Sequence, residues 1–135
     1  MHARWVSLLR WVDGVYFIWR GIHKWRVPAT IWLIPRVSRA LPTTPLAVPI
    51  RALVFPHAET IGLALGGVEV VAGLGLLALP RQRIFPAVLA LLNLLFLLTL
   101  GFQEPHDLAL NVLMGILNAY FALSPKPQKG RRLSG

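Results

Sequence analysis

The chain has 135 residues, enough for one compact unit. Hydrophobic residues make up 56% of it and charged residues 14%, against about 25% charged in an ordinary soluble domain. That balance leaves too little polar surface for a soluble globule. The net charge of +9 would suggest nucleic acid on a soluble protein. Here the basic residues flank apolar runs, where they hold lipid phosphates and set topology, so no nucleic-acid partner is expected. With no cysteine, disulfides, thiolate-ligated iron–sulfur clusters and covalently attached c-type haem are excluded.

The first predicted helix runs over about 3–27. It carries Arg10, Asp13, Arg20, His23, Lys24 and Arg26, which makes it the least hydropathic of the predicted helices. Arg10 and Asp13 interrupt the apolar stretch and no small-residue cleavage site follows, so it reads as a retained helix rather than a signal peptide. Segment 28–56 contains six prolines, which rule out one continuous helix. Ile31, Trp32, Leu33, Ile34, Leu46, Val48, Ile50, Leu53, Val54 and Phe55 make it too apolar for a free linker. A loop lying in the membrane interface, with short helical turns, fits both facts.

The second helix is predicted over 57–79, the third over 84–102 and the fourth over 106–123. Ile61–Leu79 contains one charge, and Ile84–Phe102 and Leu108–Leu123 contain none. Runs of about this length cross a hydrocarbon core roughly 30 Å thick. Tight turns at Pro80-Arg81-Gln82-Arg83 and Gln103-Glu104-Pro105 join them. The expectation is an all-α, four-helix transmembrane bundle over 1–124, followed by a basic polar tail over 125–135. Its first partner is the lipid bilayer.

Four crossings put both termini on one side, with seven basic residues (Arg4, Arg81, Arg83, Lys126, Lys129, Arg131, Arg132) against five (Lys24, Arg26, Arg36, Arg39, Arg51) on the other. The tail and the short basic turn weigh most, which predicts a multi-pass protein of the cell membrane with cytoplasmic termini.

Charged groups at the bilayer centre are costly and turn toward a protein interior or a wet cavity. On the first helix Arg10, Asp13, Gly14, Phe17, Arg20, Gly21 and Lys24 share an arc of about 120° at 100° per residue. On the second, Glu59, Gly62, Gly66, Glu69 and Gly73 share about 80°. Gly62-x-x-x-Gly66 has the spacing that lets membrane helices approach closely. On the fourth, Asp107, Asn111, Gly115, Asn118 and Ala122 share a face, while the third offers only Asn93.

A bundle with these stripes turned inward places Glu69 at its centre, with Arg10 as the expected partner and Asp13 sharing that arginine. Asn111 and Asn118 supply further hydrogen bonds. Such a network either only holds the bundle together, or binds a polar head such as a quinone carbonyl, or moves a proton.

His23, His57 and His106 fall at one predicted depth, near Glu59, Glu104 and Asp107. Imidazoles and carboxylates at one level are candidate metal ligands or proton relays. No histidine lies mid-span, which argues against haem held between two helices. Trp5 and Trp25 bracket the first helix as interfacial belt residues do. Trp11 and Trp19 lie within it and are candidates for a helix contact.

Leu9-Arg10, Gly14 and Gly21-Ile22-His23-Lys24 open the chain. A long proline-containing loop follows, and then Glu69 with Val70-Val71-Ala72-Gly73-Leu74-Gly75-Leu76-Leu77. Over roughly residues 8–123 this pattern resembles the DoxX/DoxD-like membrane proteins, which include the membrane subunit of thiosulfate:quinone oxidoreductase. The resemblance implies a four-helix bundle with Arg10, Lys24 and Glu69 as key polar positions. It also implies membership of a quinone-linked redox system beside a catalytic subunit. Together with the polar stripes, which add Asp13, Asn111 and Asn118, this makes Glu69, Arg10 and Asp13 the candidate catalytic residues, and Lys24, Asn111 and Asn118 the candidates for holding a quinone.

The chain has no redox motif of its own, so a partner subunit must bring the electron donor. The competing function is a non-catalytic assembly subunit of a larger membrane complex. A small transporter ranks last, because four helices leave little room for a pathway and no inverted repeat is visible.

Overall fold

The computed structural model describes residues 2–100 and 105–124. The described residues form helices joined by short turns, without strands. Helix α1 spans His2–Arg26, α5 Ala58–Ala78, α6 Ile84–Leu100 and α7 Pro105–Leu123. Between α1 and α5 lie the short helices α2 (Ala29–Trp32), α3 (Ile34–Ala40) and α4 (Ala47–Pro49), then a π-helical turn over Ile50–Val54. The four predicted long helices therefore lie within a residue or two of their expected limits, although the end predicted for the third, and the turn that includes Glu104, fall outside the described residues. So does the basic tail.

The proline-rich segment takes up the short helical turns expected of it. Pro28 caps α2 and Pro35 lies in the first turn of α3, where a proline costs no backbone hydrogen bond. Pro56 stands just before α5. The prolines thus break the segment into short helical pieces rather than unfolding it. Ala29, Leu33, Val37, Ile50 and Ala58 give these pieces their own small core, with Trp32, Ile34, Val54 and Ile61 packed against it. Thr44 Oγ1 donates to the Leu98 carbonyl and pins the segment to α6.

The main core is Phe17, Ala72, Leu76, Leu89, Leu92, Phe96 and Phe121, drawn from all four long helices. Helix α1 packs antiparallel on α5 in a register set by glycine. A Cβ on Gly21 would meet the Gly66 carbonyl oxygen at 2.6 Å, and one on Gly73 would meet that of Gly14 at 2.8 Å. Only glycine permits backbones this close. Arg10 Nη1 donates to the Pro80 carbonyl (2.9 Å) and Arg83 Nη2 to that of Ser124 (2.9 Å). The first half of α1, the α5–α6 turn and the end of α7 therefore share one end of the molecule.

Helices α5 and α7 are long and apolar enough to cross a membrane. Only 39% of the apolar window of α5 and 11% of that of α7 is buried, so most of this surface faces outward. The apolar part of α6, Ile84–Thr99, is shorter.

Candidate functional site

The inward stripes bring half of their polar residues into the core. Asp13, Lys24, Glu69, Asn93 and Asn118 are all buried. Glu59, on the same arc as Glu69 but at the start of α5, is exposed.

Glu69 finds its partner in Lys24, not Arg10. The Lys24 Nζ lies 2.5 Å from Glu69 Oε1, and both side chains are almost wholly buried. The glycine register explains the exchange. Gly21 lies opposite Gly66 and Gly14 opposite Gly73. Helical side chains lean toward their own N-terminus, so Lys24 reaches back to the level of Glu69. Arg10 lies near the far end of α5, where it reaches Pro80 and stacks on Phe121, its guanidinium carbon 4.8 Å from the ring centre. Among the described residues Glu69 Oε2 has no hydrogen-bond partner.

Aromatic rings close around the lysine. Its Nζ lies 5.2 Å from the Trp32 ring and 5.3 Å from that of Phe96, within cation–π range. Arg20, one turn earlier, donates from Nη1 to the Tyr16 hydroxyl at 2.7 Å. Arg36, delivered by α3, pairs with Asp107 at the start of α7.

Arg20, Lys24, Trp32 and Arg36 line two adjoining cavities. One, of about 130 Å³, continues over Leu65, Phe96 and other apolar side chains. The other, of about 320 Å³, continues over Tyr16, Trp19, His23 and Leu110. The indole Nε1 of Trp32 is buried without a hydrogen-bond partner among the described residues. An apolar chamber edged by cationic and indole donors can hold a flat ring that carries polar oxygens.

Asp13 belongs to a separate polar cluster. It is 0% exposed and lies beside Asn118 and Arg10, with no hydrogen bond of normal geometry to either carboxyl oxygen. Asn118 Nδ2 donates to Asn93 Oδ1 at 3.1 Å, and Asn93 Nδ2 to Asn111 Oδ1 at 3.4 Å. This file of amides ties α7 to α6 and ends on a concavity of about 600 Å³ along their outer face. The expected carboxylate and amide residues are thus divided between two clusters, with Asn111 and Asn118 away from Lys24.

The histidines do not converge. His23 is exposed and stacks on Trp19, with ring centres 5.8 Å apart, and His57 and His106 are exposed. Among the described residues no group of three or more His, Asp or Glu could hold a metal ion. Trp11 and Trp19 face outward, 61% and 63% exposed, rather than lining a helix contact. Trp25 instead covers Gly66 and donates from Nε1 to the Leu63 carbonyl at 3.1 Å.

Sequence reasoning missed Trp32 and Arg36, because both lie in the segment read as a loop. Their four-residue spacing continues that of Arg20 and Lys24, a signal interrupted by Pro28. Comparison with family models, curated proteins and solved structures gives no significant match. The family resemblance accordingly rests on the motifs of α1 and α5 alone.

Proposed function

We propose that the chain is a DoxX/DoxD-like subunit of a quinone-linked membrane redox system, crossing the bilayer as a bundle of α1, α5, α6 and α7. The observation that carries the site is the apolar chamber bounded by Lys24, Trp32 and Phe96 next to a buried Glu69. Buried charge inside an apolar, outward-greasy helical protein is the default mark of a functional interior.

The residues fit a quinone ring. Lys24 Nζ has donors left over from its contact with Glu69 and can bind a ring carbonyl. Trp32 Nε1 offers a second, unpartnered donor. Phe96 and Leu65 supply apolar wall and keep water out. Glu69 Oε2, without a partner among the described residues, is the atom that would pass a proton on to that carbonyl as the quinone takes up electrons. A bound quinone supplies two-electron redox chemistry that the side chains lack, and a partner subunit supplies the electrons.

Mild detergent purification followed by mass spectrometry tests this reading. Quinone should co-purify, and a photoreactive quinone should label peptides from 16–37 and 92–99. Trp32→Phe, which removes the buried indole donor without stranding a charge, should reduce labelling about tenfold, a loss of about 1.4 kcal/mol in binding, while the thermal midpoint falls only slightly. Wild-type protein that neither retains nor becomes labelled by quinone would sink the proposal.

The alternative is an assembly subunit whose polar interior only fixes helix register. It is favoured by the Asp13–Asn118–Asn93 cluster, which is buried in packing without lining the charged cavities. On that reading other chains co-purify at fixed stoichiometry without quinone, and Glu69→Gln lowers stability and complex yield together.

A further inference from the structure

We propose that the polar chamber of Arg20, His23 and Arg36 is an anion site, suited to a single phosphate-type oxyanion. The reading is separate from the quinone proposal, since it concerns the adjoining chamber and is tested without redox chemistry. Its basis is a charge left over. Three cations, Arg20, Lys24 and Arg36, share the walls of the chamber. Lys24 is matched by Glu69 and Arg36 by Asp107. Among the described residues Arg20 has only the neutral Tyr16 hydroxyl as a hydrogen-bond partner and the Tyr16 ring, 5.5 Å from its guanidinium carbon. It lies near enough to feel the charges of both Lys24 and Glu69.

A partly buried guanidinium without a counter-charge is costly in a low-dielectric setting. One monoanion restores the balance. A guanidinium presents its donors as a planar fork that matches two oxygens of a phosphate, and only one Nη of Arg20 is taken up by Tyr16. His23 stands on the same wall and adds a ring N–H. The chamber, about 320 Å³, is large enough for an oxyanion with water. Trp19 and Leu110 supply an apolar rim. Two sources share this chemistry: the phosphodiester head of an anionic lipid and free inorganic phosphate.

The test uses full-length protein in maltoside detergent, followed by thermal unfolding. The probes are short-chain phosphatidylglycerol, inorganic phosphate, and a diacylglycerol of equal chain length as the uncharged control. Phosphatidylglycerol should raise the unfolding midpoint saturably and diacylglycerol should not. A response to phosphatidylglycerol alone assigns the site to lipid, and a response to inorganic phosphate as well assigns it to the free ion.

Arg20→Gln should raise the half-saturating concentration at least tenfold, and Arg20→Lys should leave it within about threefold. Leu110→Glu places a carboxylate at the chamber rim. It should abolish the ligand response while keeping the fold, and so covers the case in which Arg20→Gln is unstable. No stabilisation of wild type by either phosphate probe overturns the proposal, as does a response undiminished in both Arg20→Gln and Leu110→Glu.

Discussion

Lys24 and Glu69 stabilise each other only as a pair. Each side chain is almost wholly buried, and removing one partner strands the other charge away from water. Such a loss costs about 3–5 kcal/mol, whereas replacing both members by apolar residues is often close to neutral. Lys24→Met should therefore lower the thermal unfolding midpoint sharply, and Lys24→Met with Glu69→Leu should recover most of the loss. A double variant as unstable as Lys24→Met alone would show that Lys24 acts through contacts other than Glu69, the Trp32 and Phe96 rings first among them. At this scale the sequence exposed Lys24 and Glu69 but not their pairing. A period of 100° per residue places Lys24 and Glu69 on inward stripes. It does not say which residues stand level, because that depends on how α1 slides along α5.

Between elements, the sliding position is set by glycine. The Cβ of an alanine at 21 would come within 2.6 Å of the Gly66 carbonyl oxygen, which is backbone and cannot swing aside. Gly21→Ala should destabilise by about 1–3 kcal/mol through overpacking. Gly67 is the contrast. A Cβ there meets Trp25 at 4.0 Å, an ordinary contact, so Gly67→Ala should be neutral or gain up to about 1 kcal/mol of helix propensity. Chemical unfolding of the two variants side by side checks the sign of each.

Gly62-x-x-x-Gly66 announced close packing, and the structure divides it between two neighbours: Gly66 meets Gly21 while Gly62 meets Ala29 and Trp32. The second neighbour was hidden from the sequence because α2 and α3 are too short to show a period. Their prolines, read as breaks, act as helix starts. Arg36 and Trp32 reach the site only because those breaks fold the segment back over it.

At the level of the whole molecule, the proposed bundle fixes which loops share a side. The first half of α1, the α5–α6 turn and the end of α7 already lie together through Arg10 and Arg83. The absence of native cysteine makes single-cysteine mapping direct. Ser7→Cys and Gln82→Cys should be labelled by an impermeant maleimide from the cytoplasmic face only, and Ser38→Cys and Thr43→Cys from the opposite face only. Labelling of Ser7→Cys and Thr43→Cys from one face would exclude four crossings in this arrangement.

The placement of Lys24 against Glu69 also bears on how the chain is made. Helix α1 is interrupted by charges and, unlike α5, is not apolar enough to cross a membrane by itself. Alone, it would partition poorly from the translocation channel into lipid. Its lysine becomes acceptable there only beside the glutamate, which is synthesised 45 residues later. If α1 crosses the bilayer as proposed, at about 5–20 residues per second it would wait several seconds at the protein-conducting channel before α5 emerges. In the proposed membrane setting the two helices then enter the bilayer together, as a ready-paired hairpin, so biogenesis of this small protein depends on a contact already formed on the way in.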